Sequence, residues 1–174
     1  MENGRVTNEV DPTLDRLLRH MAWANAQFIA RLQSLDDGQL ALAAPGNEWT
    51  VAMILDHLVG AAGRYATRLE GNVPQRAQAD PPTAVAQLAD IATRCADTDA
   101  RLRAQAALPE GVVEYTYDGG VMRRARSTVI AQSIHHATEH RAQMAEALAT
   151  NGVHAVNLDE LDLWAYGEAE GLGA

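Results

Sequence analysis

The chain has 174 residues, a length typical of one domain that can bury a substantial core. Its formal charge is −9, from 14 basic and 23 acidic residues, which disfavours nucleic-acid binding because that binding depends on clustered Lys and Arg. One basic run, Arg123, Arg124 and Arg126, lies beside a predicted turn and is typical of a solvated surface. No stretch reaches the ~18–20 apolar residues of a membrane helix, and the polar N-terminus does not resemble a signal peptide.

Cys95 is the only cysteine, so it cannot form an internal disulfide, and a thiolate zinc site needs several cysteines. We therefore expect a reducing, cytoplasmic location and a Cys95 that acts as a small buried apolar residue. Any metal site must be built from His, Asp and Glu. Alanine dominates the apolar residues and there is one Phe, a composition that favours closely packed helices.

The first two helices are predicted from apolar residues at steps of three and four. Asp11 followed by Pro12 is typical of a helix start, and the periodic pattern predicts a helix over about 12–35. After an irregular stretch, Thr50 is typical of a second helix cap, and the second pattern predicts a helix over about 50–70.

The second half of the chain alternates loops, a hairpin and helices. A proline-rich loop over 72–82 precedes a predicted helix over about 83–107, and a change to β-type residues around Asp-Gly-Gly predicts a β-hairpin over about 112–126. A fourth helix is predicted over about 127–150 and a short one over about 158–167. These elements predict one all-α domain, an up-down-type four-helix bundle spanning the whole chain.

The fourth predicted helix carries His136 and His140, whose spacing of four places both on one face, within reach of one cation at about 2.0–2.1 Å. Val129 and Met144 share that stripe, so we expect both imidazoles to point inward, where unpaired polar groups cost free energy. A shared metal is one explanation, and His57 on the second helix is the best candidate for a third ligand. Histidine pairs also occur by chance on helices that bind no metal.

The other polar candidates have simpler interpretations. We expect His135 to face outward, because it is rotated by about 100° from the pair. His20 and His154 are interpreted as surface or hydrogen-bonded residues, and Asp56 and Glu139 as solvated charges that could also support the ligands. The three tryptophans, at positions 23, 49 and 164, are expected in the core or along a groove.

Two known metal patterns are excluded by their motifs. The chain has no HExxH, so the zincin protease mechanism is not expected. No Glu has a His three residues later, which disfavours a di-iron carboxylate bundle. One metal ion is therefore the better prediction than two. Three imidazole ligands alone do not distinguish between zinc, nickel, copper and iron.

Most of the chain, over about 12–170, resembles the DinB-like (YfiT-type) superfamily of metal-dependent four-helix bundles. The resemblance lies in LLRHMAWANAQFIARLQSL, NEWTVAMILDHLVGAAGRYATRL, IAQSIHHATEHRAQMAEAL and the tail DELDLWAYGEAEG. It implies one divalent metal, often zinc or nickel, bound by His57, His136 and His140, and it implies a homodimer. Ala142 departs from the glycine that many members carry, at a position outside the ligand set.

The resemblance also implies a function. Characterised members of the superfamily include S-transferases, a maleylpyruvate isomerase and hydrolases that use bacillithiol or mycothiol. We therefore expect a metal-dependent enzyme of the thiol S-transferase type, in which a Lewis-acidic metal stabilises a low-molecular-weight thiolate that attacks a small electrophile. No protein residue is assigned as catalytic. The alternative is a non-catalytic stress-response or binding module with a structural metal.

Overall fold

The computed structural model describes residues 10–73 and 80–172. The polar N-terminus over 1–9 and the centre of the loop predicted over 72–82 lie outside these ranges. The described chain forms a helical bundle with a small β-hairpin between its third and fourth long helices, as predicted. Its elements are α1 (Pro12–Leu32), α2 (Val51–Leu69), α3 (Leu88–Ala106), β1 (Val112–Tyr117), β2 (Gly120–Ala125), α4 (Arg126–Ala149) and α5 (Leu163–Ala169). Within these ranges, every helix is too short or too polar to cross a membrane.

The first helix begins at the predicted cap and ends earlier than its apolar pattern. The Asp11 carboxylate accepts hydrogen bonds from the backbone N–H groups of Thr13 and Leu14, which have no partner inside the helix. α1 ends at Leu32, not at residue 35. After Leu32 the backbone hydrogen bonds join residues three apart instead of four, so the chain forms a tight turn. Leu35 is still buried after that turn, so its side chain continues the apolar pattern without continuing the helix.

The third long helix begins at Leu88, five residues after the predicted start. The side-chain oxygen of Gln87 accepts hydrogen bonds from the backbone N–H groups of Thr83 and Ala84, at 2.7 and 3.0 Å. These bonds hold the preceding residues in an extended segment and a short 3-10 turn over Val85–Gln87. Because the side chain already satisfies these N–H groups, it stabilises a non-helical backbone there and prevents the helix from starting earlier.

The C-terminal helix predicted over 158–167 is divided in two. A 3-10 turn covers Leu158–Leu161, and α5 follows after the extended residue Asp162. The Asp162 carboxylate accepts from the backbone N–H groups of Trp164 and Ala165, so it caps the second piece. Trp164 is 84% exposed, and the prediction that it packs in the core or a groove is wrong.

The order of the helices around the bundle positions the functional residues. α1 packs mainly against α3 and also against α4, whereas α2 packs against both α3 and α4. Helices α1 and α2 therefore face each other across the core, and long connections join the consecutive helices. The hairpin packs against α2, and its turn uses Asp118 and Gly119 at φ 49° and 76°, as two-residue hairpin loops require.

The core consists of two apolar clusters that share the long helices. One contains Phe28, Leu55 and Met144, and the other contains Leu18 and Leu69. Cys95 is buried in the first cluster, as predicted.

Candidate metal centre

The packing of α2 against α4 brings together three histidines that are distant in sequence. The Nε2 atom of His136 lies 3.2 Å from Nε2 of His57 and 3.0 Å from Nε2 of His140. One ligand nitrogen from each ring lies within 4.8 Å of the others. Nitrogens about 2.0–2.1 Å from a shared tetrahedral metal are separated by about 3.3–3.4 Å, so the cluster is close to the size that one ion needs.

The surroundings of the cluster favour the neutral form of two of its imidazoles. The pKa of His136 is lowered to about 4, mainly by burial and then by the nearby rings of His140 and His57. Burial is also the main cause of the lowered pKa of His57, followed by His140 and Arg64. A neutral imidazole is the form that binds a metal, so His57 and His136 are ready as ligands near pH 7.

Gln143 and Trp49 orient the histidines. The Nδ1 of His140 lies 2.6 Å from the side-chain oxygen of Gln143, which can only accept a hydrogen bond. The hydrogen of His140 is therefore on Nδ1, and the lone pair of Nε2 faces the other two rings. Trp49 contacts the His57 ring edge-on at 4.9 Å between centroids and stacks on His140 at 6.4 Å, as expected of a groove-lining tryptophan. The prediction missed Gln143, although its spacing of three from His140 could have revealed it.

The remaining histidines lie outside the cluster, as predicted. His135 faces solvent and contacts the carboxylate of Glu139 at 3.4 Å. The Nε2 of His20 donates to the backbone oxygen of Leu161 at 2.8 Å, which ties α1 to the C-terminal segment. His154 is exposed. None of these three imidazoles joins the cluster formed by the described residues.

A cleft of about 1330 Å³ opens beside His57 and His136. Residues of α2, α3 and the hairpin line it, among them Arg64, Tyr65, Arg68, Arg94, Tyr115 and Tyr117. Asp56 also lines it but is only 9% exposed, and burial raises the pKa of its carboxyl, so its interpretation as a solvated charge is wrong. The arginines of the cleft were not predicted from the sequence, although Arg64 follows His57 by seven positions and so shares its helix face.

Comparison with known proteins identifies the family. The model of the DinB family matches residues 7–169, which include all four long helices, the hairpin and the three clustered histidines. Neither a curated protein nor a solved structure matches the chain. The match spans well over half of the sequence and agrees with the helical architecture. The chain therefore belongs to the DinB family.

Proposed function

We propose that the protein binds one divalent metal through His57, His136 and His140 and is a metal-dependent enzyme of the thiol S-transferase type. The observation that supports this proposal is the convergence of three imidazole nitrogens beside a large cleft. Three protein ligands leave coordination positions for small molecules, as in catalytic metal sites. When bound, the metal supplies Lewis acidity, which lowers the pKa of a coordinated thiol.

The chain's own thiol is unsuited to the reaction. Cys95 is 3% exposed, and burial raises the pKa of its thiol far above neutral, with Asp99 acting in the same direction. A thiol in this state is a poor nucleophile. The reacting thiol would therefore belong to a small molecule that enters the cleft, which supports a low-molecular-weight thiol as co-substrate. The role of the protein is then to hold the imidazoles of His57 and His136 neutral and to orient the reactants.

Zinc and nickel are the proposed metals. Both bind neutral imidazole well, and the cluster contains no thiolate or carboxylate that would select a softer or harder ion. The small separation of the ring nitrogens fits the short bonds of these ions better than the longer bonds of calcium.

Metal analysis of untagged protein tests the site. We expect about one zinc or nickel ion per chain, and we expect His136→Ala to lose most of it because that ring contacts both other ligands. His135→Ala is the matched control, since His135 lies on the same helix but faces solvent. Equal metal content in the two variants would contradict the proposed ligand set.

A turnover assay tests the reaction class. Metal-loaded protein is incubated with low-molecular-weight thiols and a panel of electrophiles, and consumption of both reactants is followed. We expect thiol-dependent turnover that stops when the metal is chelated and is absent in His136→Ala. Full metal loading without thiol-dependent turnover would contradict the enzyme proposal and favour a binding module with a structural metal.

Gln143→Ala tests the orientation of His140. Without the Gln143 oxygen, the His140 ring can rotate and exchange tautomers, so we expect metal affinity to fall by about 10- to 100-fold. Gln143→Glu keeps an acceptor at the same position and should retain most of the affinity. Competition with a chromogenic chelator measures both values. Unchanged affinity in the alanine variant would show that Gln143 does not position the ligand.

A further inference from the structure

The cleft beside the histidine cluster is basic, although the chain is acidic. Among the described residues, three arginines and two aspartates line it, whereas the whole chain has 14 basic and 23 acidic residues. The arginines are Arg64, Arg68 and Arg94, and the aspartates are Asp56 and Asp118. A cleft lined by an excess of charges of one sign concentrates ligands of the opposite sign. Its lining therefore favours anionic small molecules.

Arg64 directs its charge toward the histidine cluster. A Cβ atom added to Gly60 would lie 3.2 Å from Nη1 of Arg64, so the guanidinium folds back along α2 over the glycine, toward His57. Positions 57 and 60 are separated by a rise of only about 4.5 Å along the helix. Gly60 thus makes room for a cation beside the cluster.

The three arginines of the cleft differ in their partners. The guanidinium of Arg68 stacks on Tyr115, at 4.4 Å from the ring centroid, and so joins α2 to the hairpin wall. Among the described residues, no carboxylate lies within 4.0 Å of the guanidinium of Arg64 or Arg94, and neither side chain donates a hydrogen bond.

We propose that Arg64, assisted by Arg94, forms a carboxylate-binding subsite, so that the small molecule used by the three-histidine centre carries a carboxylate. A guanidinium binds a carboxylate through two parallel hydrogen bonds, which fix both the position and the direction of the ligand. The guanidinium of Arg64 lies over Gly60, which is three residues from His57 on the same helix, so we expect a short thiol acid to reach both the metal and Arg64. This inference rests on the proposed function and specifies the substrate class of the same site.

A matched pair of thiols tests the subsite. The cobalt-loaded protein is titrated with 3-mercaptopropionate and with its uncharged amide, and binding is read from the cobalt–thiolate absorption. We expect the wild type to bind the acid about 10- to 100-fold more tightly than the amide. Arg64→Gln should remove this preference by weakening the binding of the acid. Arg123→Gln, an equal change of charge on the exposed hairpin, should retain the preference.

Gly60→Ala provides a second variant that keeps every charge. Its new methyl group would lie 3.2 Å from Nη1 of Arg64 and push the guanidinium outward by a few tenths of an ångström, so the preference for the acid should fall in part. Alanine supports the helix, so the thermal midpoint should not decrease. Equal binding of acid and amide by the wild type, or an equal loss of preference in Arg123→Gln, would overturn the proposal.

The metal-free protein separates this inference from the proposed function. Succinate and succinamide are titrated into it by calorimetry. A preference for succinate that depends on Arg64 supports the subsite even if no thiol perturbs the cobalt spectrum, a result that would contradict only the thiol chemistry. If thiols perturb cobalt but neither charged probe is preferred over its amide, the subsite is rejected and the metal proposal stands.

Discussion

Replacing Arg141 by Met is expected to lower the free energy of unfolding by about 3–5 kcal/mol, because it leaves a buried carboxylate without its cation. Arg141 is 4% exposed, and its Nη1 donates to the side-chain oxygen of Asn25 at 2.5 Å. The amide nitrogen of Asn25 donates in turn to Asp99 at 3.0 Å. The pKa of Asp99 is raised to about 6, because burial outweighs the groups that lower it, Arg141 among them. The three side chains form one buried polar network.

The pH dependence of the Arg141→Met variant identifies the cause. A carboxyl whose pKa is raised on folding stabilises the fold below its unfolded pKa, and that contribution is lost as pH rises through its folded pKa. In the wild type, the stability that Asp99 contributes is lost between about pH 4 and 6. Removing Arg141 raises the folded pKa of Asp99, so the free energy of unfolding should continue to fall above pH 6. Urea titrations between pH 5 and 8 measure this slope.

The double variant Arg141→Met with Asp99→Asn is the control for this prediction. Asparagine cannot ionise, so the slope above pH 6 should disappear and part of the lost stability should return. If Arg141→Met costs less than about 1 kcal/mol, the network does not hold a buried charge of the expected kind.

Saturating metal is expected to raise the free energy of unfolding by about 4 kcal/mol when free zinc exceeds its dissociation constant a thousandfold. The physical reason is that only the folded chain holds His57 beside the pair on α4, at 3.2 Å between the Nε2 atoms of His57 and His136. The unfolded chain retains the His136 and His140 pair locally but lacks the third ligand. Binding therefore favours the folded state. Urea unfolding with and without zinc measures the difference.

Two variants provide the controls for zinc stabilisation. His57→Ala removes the ligand that only folding supplies, so most of the stabilisation should disappear. His135→Ala should retain it, because that imidazole faces solvent. Equal stabilisation of all three proteins would show that zinc acts outside the three-histidine cluster.

Local sequence was sufficient to predict most of the secondary structure. The side chains of Asp11 and Thr50 cap their helices without help from distant residues, so the starts of α1 and α2 could be predicted. The inward direction of His136 and His140 followed from helical spacing, which fixes the relative directions of side chains on one helix. The apolar pattern gave a wrong helix end where burial depends on contacts with distant residues. Leu35 is buried and fits the pattern, but it lies beyond the end of its helix.

The sequence by itself determined the four helices, the hairpin and the H-x3-H pair, because each depends on residues a few positions apart. Only the tertiary structure placed α2 beside α4, and this packing brings His57 to the pair. It also decided that Asp56 is buried and that Arg64 folds over Gly60 at the cleft. Periodicity indicates which face of a helix is buried but not which helix covers it. The site is assembled by contacts across the bundle, and those contacts depend on how whole helices pack.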